Sequence, residues 1–404
     1  MTIKLPILTE LELEPIVSIV TVLRMPELEI PKLISQCHLS RSDANIYMNQ
    51  YQIFTIMGCD EFAIEMQNKA LEHSLIYRVE SKNIPNIRLL AFMCSGEAAL
   101  NTPLEYLIEN TNIRLDIIYI LEDKPLPDTI PDHDVAIIAI CASKKTKPLL
   151  DQISKFISHW PRPVLNHPNL INHCYRDTLY HLLKFIPKVK IPSTAKVTRE
   201  ELMRVIKLEL HISSLLGNGD YPITIRPIDF HGGNEFSKID TQGKLSDYLI
   251  ATNKDEFYIS YYINYCSNDG YFRKARIALI DGHPYICHLA ISNHWIVHYK
   301  TSGMNESLSK RQEEASFMEN FDSDFAARHC NALTSISNRL ELDYVIIDCA
   351  ETPNGELLIF EIDNYCWVHA TDPEDVFPYK QNHMNKVFSA FQSMLIKKKA
   401  LRLK

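Results

Sequence analysis

Glycine is scarce, at 11 of 404 residues, so each one beside charged or polar residues is informative. No uninterrupted apolar run approaches about 18 residues, so no transmembrane helix is expected. The first fifteen residues, MTIKLPILTELELEP, lack the basic, apolar and small-residue order of a secretory signal. No Cys-x-x-Cys pair occurs among the ten cysteines, and Cys94, Cys141, Cys287 and Cys349 lie in apolar surroundings. Reduced, buried thiols in a cytoplasmic protein are expected rather than a disulfide framework. Positive charge is not in excess: 42 Lys and Arg stand against 50 Asp and Glu, a formal charge of −8. That argues against a nucleic-acid partner in general, while a local basic cleft stays open. A membrane partner is not expected either.

What is present is a globular composition, 46% hydrophobic and 23% charged, in a chain too long for one ordinary core. Residues 1–83 read as a helical module, with apolar residues at three and four spacing over 11–25, 44–57 and 62–75. Residues 84–166 alternate strand and helix patterns, which implies a small Rossmann-like α/β layer. Within it, Ser95-Gly96 is a weak phosphate-loop candidate. Asn101 and Asn166 follow strands where ligands bind in open α/β sheets. Residues 167–215 read as a helical connector carrying Arg176, with Thr198 and Glu201 as a capping box. Residues 216–265 hold a strand ending at Arg226, the loop His231-Gly232-Gly233, a helix, and the strand 256–263. A Gly-Gly loop lets backbone amides approach phosphate oxygens closely.

The last unit, 266–404, carries the chemistry. Period two along the strand 272–280 puts Lys274 and Arg276 on one face and Arg273 on the other. A helix is expected over about 322–340 and another over 382–397. Between them, residues 342–369 read as two strands joined at Asn354-Gly355. Glu361 and Asp363, two apart, project from one face, and the hairpin brings Asp348 to them. Three converging carboxylates call for a cation, and hard oxygen ligands suit Mg²⁺, which brings nucleotide phosphates with it.

Together these pieces resemble the ATP-grasp superfamily of carboxylate–amine and carboxylate–thiol ligases, of which D-alanine–D-alanine ligase is the familiar example. The likeness runs over about residues 163–397, with 84–166 as the accompanying pre-ATP-grasp domain. The family pattern at the metal hairpin is Asp, a turn, then Glu-x-Asn; here Asp363 stands where the family has Asn. Arg176 and Arg226 stand where it commonly has Lys. The fold implied is α/β and α+β: a helical N-terminal module, the Rossmann-like domain, then an ATP-grasp fold of a lid subdomain (216–265) and a larger one (266–404).

The resemblance implies ATP as cofactor with Mg²⁺, or Mn²⁺ in its place, held by Asp348, Glu361 and Asp363. It implies Arg176, Arg226, His231, Gly232 and Gly233 around the phosphates. Backbone groups of Tyr261 and Ile263 would hold adenine, and Asp269 the ribose. Catalytic roles fall to Arg276 and Lys274. The activity implied is formation of an acylphosphate and its attack by an amine, on small-molecule or peptide substrates. His294, Trp367 and His369 are the candidates for recognising the acceptor. Two alternatives stand beside this reading. One is a ligase that adds an amino acid to a protein or peptide and docks through the N-terminal helices. The other is an ATP-binding protein without catalysis. A homodimer through residues 1–83 is a further expectation.

Overall fold

The structure is a computed structural model and describes residues 5–26, 29–37, 42–122, 124–217, 219–228 and 235–401. In chain order the first strands are β1 (Ile7–Thr9), β2 (Ile76–Val79), β3 (Ile87–Cys94), β4 (Ile113–Ile120), β5 (Thr129–Pro131), β6 (Val135–Ile138) and β7 (Val164–Leu165). Five of them form a sheet in the order β2-β4-β3-β6-β7, parallel except for β2, while β1 and β5 pair with each other. The run Leu-Leu-Ala-Phe in β3 is buried throughout, as a strand covered on both faces must be. One cover is the helical hairpin Asp43–Ile56 and Asp60–His73. Its Met48, Tyr51, Ala70 and Leu71 share an apolar cluster with Leu89, Ala91 and Ile117 of the sheet.

The N-terminal expectation needs two corrections. Helix is confined to Ile19–Arg24 within 11–25, because Pro15 lacks an N–H and constrains the residue before it. β2 also falls inside 1–83, so the proposed boundary cuts through the sheet.

The connector is not helical throughout. Beyond the helix Arg176–Leu183, β8 (Val189–Lys190) and β9 (Thr194–Thr198) go to two different sheets. β9 joins β10 (Ile223–Pro227), β11 (Ser237–Ile239) and β12 (Glu256–Tyr261) in an antiparallel sheet ordered β11-β10-β12-β9. The capping box forms, with Thr198 accepting from the Glu201 N–H and the Glu201 carboxylate accepting from the Thr198 N–H. The helix it starts, Arg199–Ile206, and a second, Gln242–Ala251, bury Leu202, Leu245 and Leu249 against Ile223, Ile225, Phe257 and Ile259.

β8 instead lies beside β16 (Leu357–Asp363) at the edge of a second five-stranded sheet. That sheet also holds β13 (Phe272–Ile280), β14 (His283–Ser292) and β15 (Tyr344–Glu351), in the order β14-β13-β15-β16-β8. Asp281 and Gly282 both take positive φ, 48° and 82°, and make the expected tight hairpin between β13 and β14. Alternation divides the faces. Ile277, Leu279, Ile347 and Cys349 pack with Phe321, Leu333 and Ile336 of the helical cover. On the opposite face Ala278, Tyr344 and Ile346 pack against Val387 and Phe391 of the C-terminal helix, Lys380–Leu401. The other end of that face carries the charges.

The helix Leu308–Asn320 lies where no helix is expected from sequence. Only Glu314 and Met318 of its residues are buried, too few to leave an apolar period. Among the described residues no helix is long and apolar enough to cross a membrane. The nine cysteines whose side chains are described are free.

Candidate functional site

One row of side chains crosses four strands. His288 of β14 is opposite Arg276 of β13, Arg276 is opposite Asp348 of β15, and Asp348 is opposite Glu361 of β16. Directly opposed residues share a face, and the two-residue period adds Lys274 and Asp363 to it. Arg273, on the other face as expected, pairs with Asp269 and Glu313.

Asp348 is 1% exposed. Its Oδ1 accepts from Arg276 Nε at 2.8 Å, and its Oδ2 from Arg276 Nη2 at 3.0 Å and Lys274 Nζ at 2.9 Å. Burial alone would raise its pKa; the charges of Arg276 and Lys274 outweigh that and hold it well below the usual carboxylate range. Glu361 is ion-paired with Arg176, which also donates to the Phe360 carbonyl at 3.2 Å. Burial again opposes ionisation, yet Arg176 keeps the Glu361 carboxyl below its ordinary value. Asp363 goes the other way. Burial and then the Glu361 charge raise it well above a normal Asp, although its Oδ1 accepts from the Asn364 N–H at 3.0 Å. The three predicted metal ligands therefore share a face in three different electrostatic states. Among the described residues no group of three His, Cys, Asp or Glu side chains is gathered to hold a metal ion.

A cleft opens between the second and third sheets. Thr224, Arg226, Tyr258 and Ser260 line it from the antiparallel sheet; Lys274, Leu358, Phe360 and Glu361 line it from the large one. Arg176 and Tyr365 line it as well. Burial, with the nearby Arg176 charge, lowers the Arg226 guanidinium to about 10. Two cations held so close and so dry favour an anion between them. The remaining lining is aromatic and aliphatic: Phe236, Tyr262, Ile263, Tyr265, Trp295 and Val297. A second opening shares Arg176, Arg226, Tyr258 and Tyr365 with the cleft and is also lined by Ser143, Lys144, Lys147, Lys196 and Asp363.

Several residues singled out in the sequence have other employment. Asp269 bonds Arg273 at 2.6 Å and the Tyr271 N–H, and the Arg273 bonds lower its pKa to about 2; it is not among the residues lining the cleft. Tyr261 lines the cleft, but its N–H donates to Ser193 and that of Tyr262 to Pro222, so adenine would have to use other groups there. Ile263 is part of the lining. Trp367 and His369 stack on Tyr106, with ring centroids 5.3 and 6.1 Å away, and neither faces the cleft. His294 is exposed and accepts from the Ile296 N–H. Ser95-Gly96 is no phosphate loop in this arrangement, because the Gly96 N–H donates to Gln67 at 2.7 Å. Asn101 holds both the N–H and the C=O of Cys94. Asn166 donates to the Tyr344 carbonyl and accepts from the N–H groups of Asp343 and Tyr344. Both asparagines are structural. His231, Gly232 and Gly233 lie outside the described residues.

Trp295, a candidate from its loop for recognising a substrate, does line the cleft, whereas Phe236, Tyr258 and Tyr265 were missed. The sequence signal for the two tyrosines is an unusual aromatic density over 257–272, which period-two reasoning assigns to strand packing; Phe236 has none. The Tyr299 hydroxyl and the Tyr379 hydroxyl both donate to the fully buried Glu314, at 2.7 and 2.6 Å, and this anchor was also missed. Its members lie 65 residues apart in sequence, between Glu314 and Tyr379.

The fold and the site thus define a mixed α/β protein of several sheets with a cleft lined by cations and by aromatic side chains. No family model matches the chain, and no curated protein matches it. Among solved structures it is similar to D-alanine–D-alanine ligase from Bacillus anthracis complexed with ATP, at 14% identity and a TM-score of 0.46, over 78% of this chain and 98% of that one. It is similar to the VanG D-Ala:D-Ser ligase from Enterococcus faecalis at 12% identity and 0.47, over 77% and 99%. It is also similar to a RimK domain protein ATP-grasp from Sphaerobacter thermophilus at 13% and 0.44, over 76% and 99%. Likenesses this slight say nothing of substrates or site residues.

Proposed function

We propose that the chain is an ATP-dependent ligase of the ATP-grasp kind, joining a carboxylate to an amine. The observation that carries this is the convergence of Arg176, Arg226 and Lys274 on a cleft whose remaining lining is largely aromatic. A triphosphate needs the first and a purine the second. Arginine binds phosphate oxygens in pairs, so the replacement of the family's lysines keeps the clamp.

The donors for a divalent cation are all oxygen, which fits Mg²⁺ or Mn²⁺. Glu361 and Asp363 fit best, because a cation beside them would offset the burial and the Glu361 charge that raise the Asp363 pKa. Asp348, whose two oxygens already accept from Lys274 and Arg276, fits least of the three. The ion, when bound, neutralises phosphate charge. Lys274, which lines the cleft and is held in place by Asp348, stabilises the negative charge of the transferring phosphoryl group; Arg276, which does not line the cleft, holds Asp348 in position. The carboxylate oxygen attacks the γ-phosphorus of ATP and ADP leaves. The amine then attacks the acyl carbon and phosphate leaves, with no protein nucleophile required. The acyl substrate is a small metabolite or peptide whose carboxylate suits the lysine-rich opening beside Asp363.

A coupled ADP-release assay over pairs of small carboxylates and amines tests this. Stimulated ADP release with amide formation is expected; bound ATP with no stimulated release by any pair would sink it. The second reading is an ATP-binding protein without catalysis. Its support is that Asp348 is already saturated by Lys274 and Arg276. The same assay separates the two. The packed helices Asp43–Ile56 and Asp60–His73 disfavour the protein-docking alternative, since they form part of the core rather than a separable arm.

A further inference from the structure

His298 stands among the charged groups of the cleft and has no assigned role. It lines the cleft with Lys274, Glu361 and Arg226. Its Nε2 is buried and finds no hydrogen-bond partner among the described residues. Buried polar atoms are rarely left so, and an orphan in a cleft calls for an explanation. Leaving one is costly, and a ligand atom would recover that cost on binding.

The chain is anchored on both sides of His298. The preceding Val297 is buried in the apolar patch with Tyr265, Ala290 and Leu358. Two residues further back, the Trp295 carbonyl accepts from the Tyr265 hydroxyl at 2.7 Å. On the other side Tyr299 is tied to Glu314 and to Lys380. With the backbone fixed on both sides, a turn of the His298 side chain alone presents the enclosed Nε2 to the cleft that the residue already lines.

Its surroundings say what it meets. Burial keeps the imidazole neutral, pushing its pKa below the ordinary value; the Lys274 and Arg226 charges act in the same direction, Glu361 and Asp348 against it. These are the charged groups of the cleft. A neutral ring there adds an N–H donor without adding charge.

We propose that His298 contacts the ligand directly, its Nε2–H donating to the terminal phosphoryl group of a bound nucleoside triphosphate. The residue thereby distinguishes a triphosphate from a diphosphate. This inference rests on the nucleotide reading above and sharpens it to one atom.

The test is calorimetric titration of the full chain with a non-hydrolysable ATP analogue and, separately, with ADP. His298→Ala should weaken the analogue about tenfold or more, the scale of one lost hydrogen bond to a charged group, and ADP less than about twofold. His298→Gln, which keeps an N–H donor, should recover most of the loss. His298→Phe, which keeps a ring and removes the nitrogen, should match the alanine variant; it serves as the test if the smaller side chain unsettles the loop. Equal weakening of both nucleotides, or no weakening of either, overturns the assignment of His298 and leaves the nucleotide site standing. Failure of the unaltered protein to bind either nucleotide overturns the nucleotide reading itself, and this inference with it.

Discussion

Arg276 and Asp348 face each other across neighbouring strands, and two guanidinium nitrogens reach the two carboxylate oxygens, at 2.8 and 3.0 Å. The pair is buried and is completed by Lys274. It is the pivot of the site, because it fixes two cations on the face that meets the cleft. Replacing Asp348 by Asn leaves both cations without a counter-charge. A loss of about 3–5 kcal/mol is expected, read from urea denaturation. The sign with pH follows from its depressed folded pKa. The contribution is complete above the unfolded value of about 4 and fades as pH falls toward the folded one. The D348N variant should therefore lose less stability than the parent between neutral pH and about pH 3.

Glu361 faces Arg176 and stands opposite Asp348. Glu361→Gln keeps the shape and removes the charge. Substrate-stimulated ADP release should fall by at least about a hundredfold, with the unfolding midpoint nearly unchanged. Turnover like the parent's would sink the role given to this carboxylate.

Arg226 is buried beside Arg176, and its lowered pKa reflects that crowding. Arg226→Ala should weaken binding of an ATP analogue by about one to two orders of magnitude, and Arg226→Lys by less. Arg226→Ala removes the repulsion from Arg176 but also the contact with the Phe236 ring, so its loss of stability should be smaller than its loss of binding. A stability loss equal to the binding loss would mark Arg226 as structural.

Asn166 makes three hydrogen bonds to Asp343 and Tyr344 from a left-handed backbone, φ 53°. Asn166→Ala strands buried backbone groups and should cost about 2–4 kcal/mol. Substrate KM measured on the folded fraction should stay put, which a substrate-binding asparagine would not allow.

Removal of residues 1–83 takes away β2 and the helical hairpin that covers the first sheet. The truncated chain should fail to fold, seen as loss of near-ultraviolet circular dichroism and of soluble yield. A folded, active remainder would restore the picture of an independent docking arm.

Local pattern carried much of this protein. The period of two placed Lys274 and Arg276 together and Arg273 apart, and the Asp281-Gly282 turn and the Thr198 capping box are statements about neighbours in the chain. The shared face of Asp348, Glu361 and Asp363 is of the same kind, since one hairpin contains all three. What the sequence by itself could not decide is who meets whom over long separations. Asn101 and Asn166 look like ligand-binding residues until partners 7 and 178 residues away claim them. Arg176 finds Glu361 across 185 residues, and Lys274 finds Asp348 across 74. Side-chain hydrogen bonding depends on distances under about 3.2 Å, which chain-local periodicity cannot encode. Thus the residue types and faces were determined locally, whereas the pairing that turns carboxylates into anchors for cations, and leaves the His298 nitrogen without a partner among the described residues, was decided only when the sheets came together.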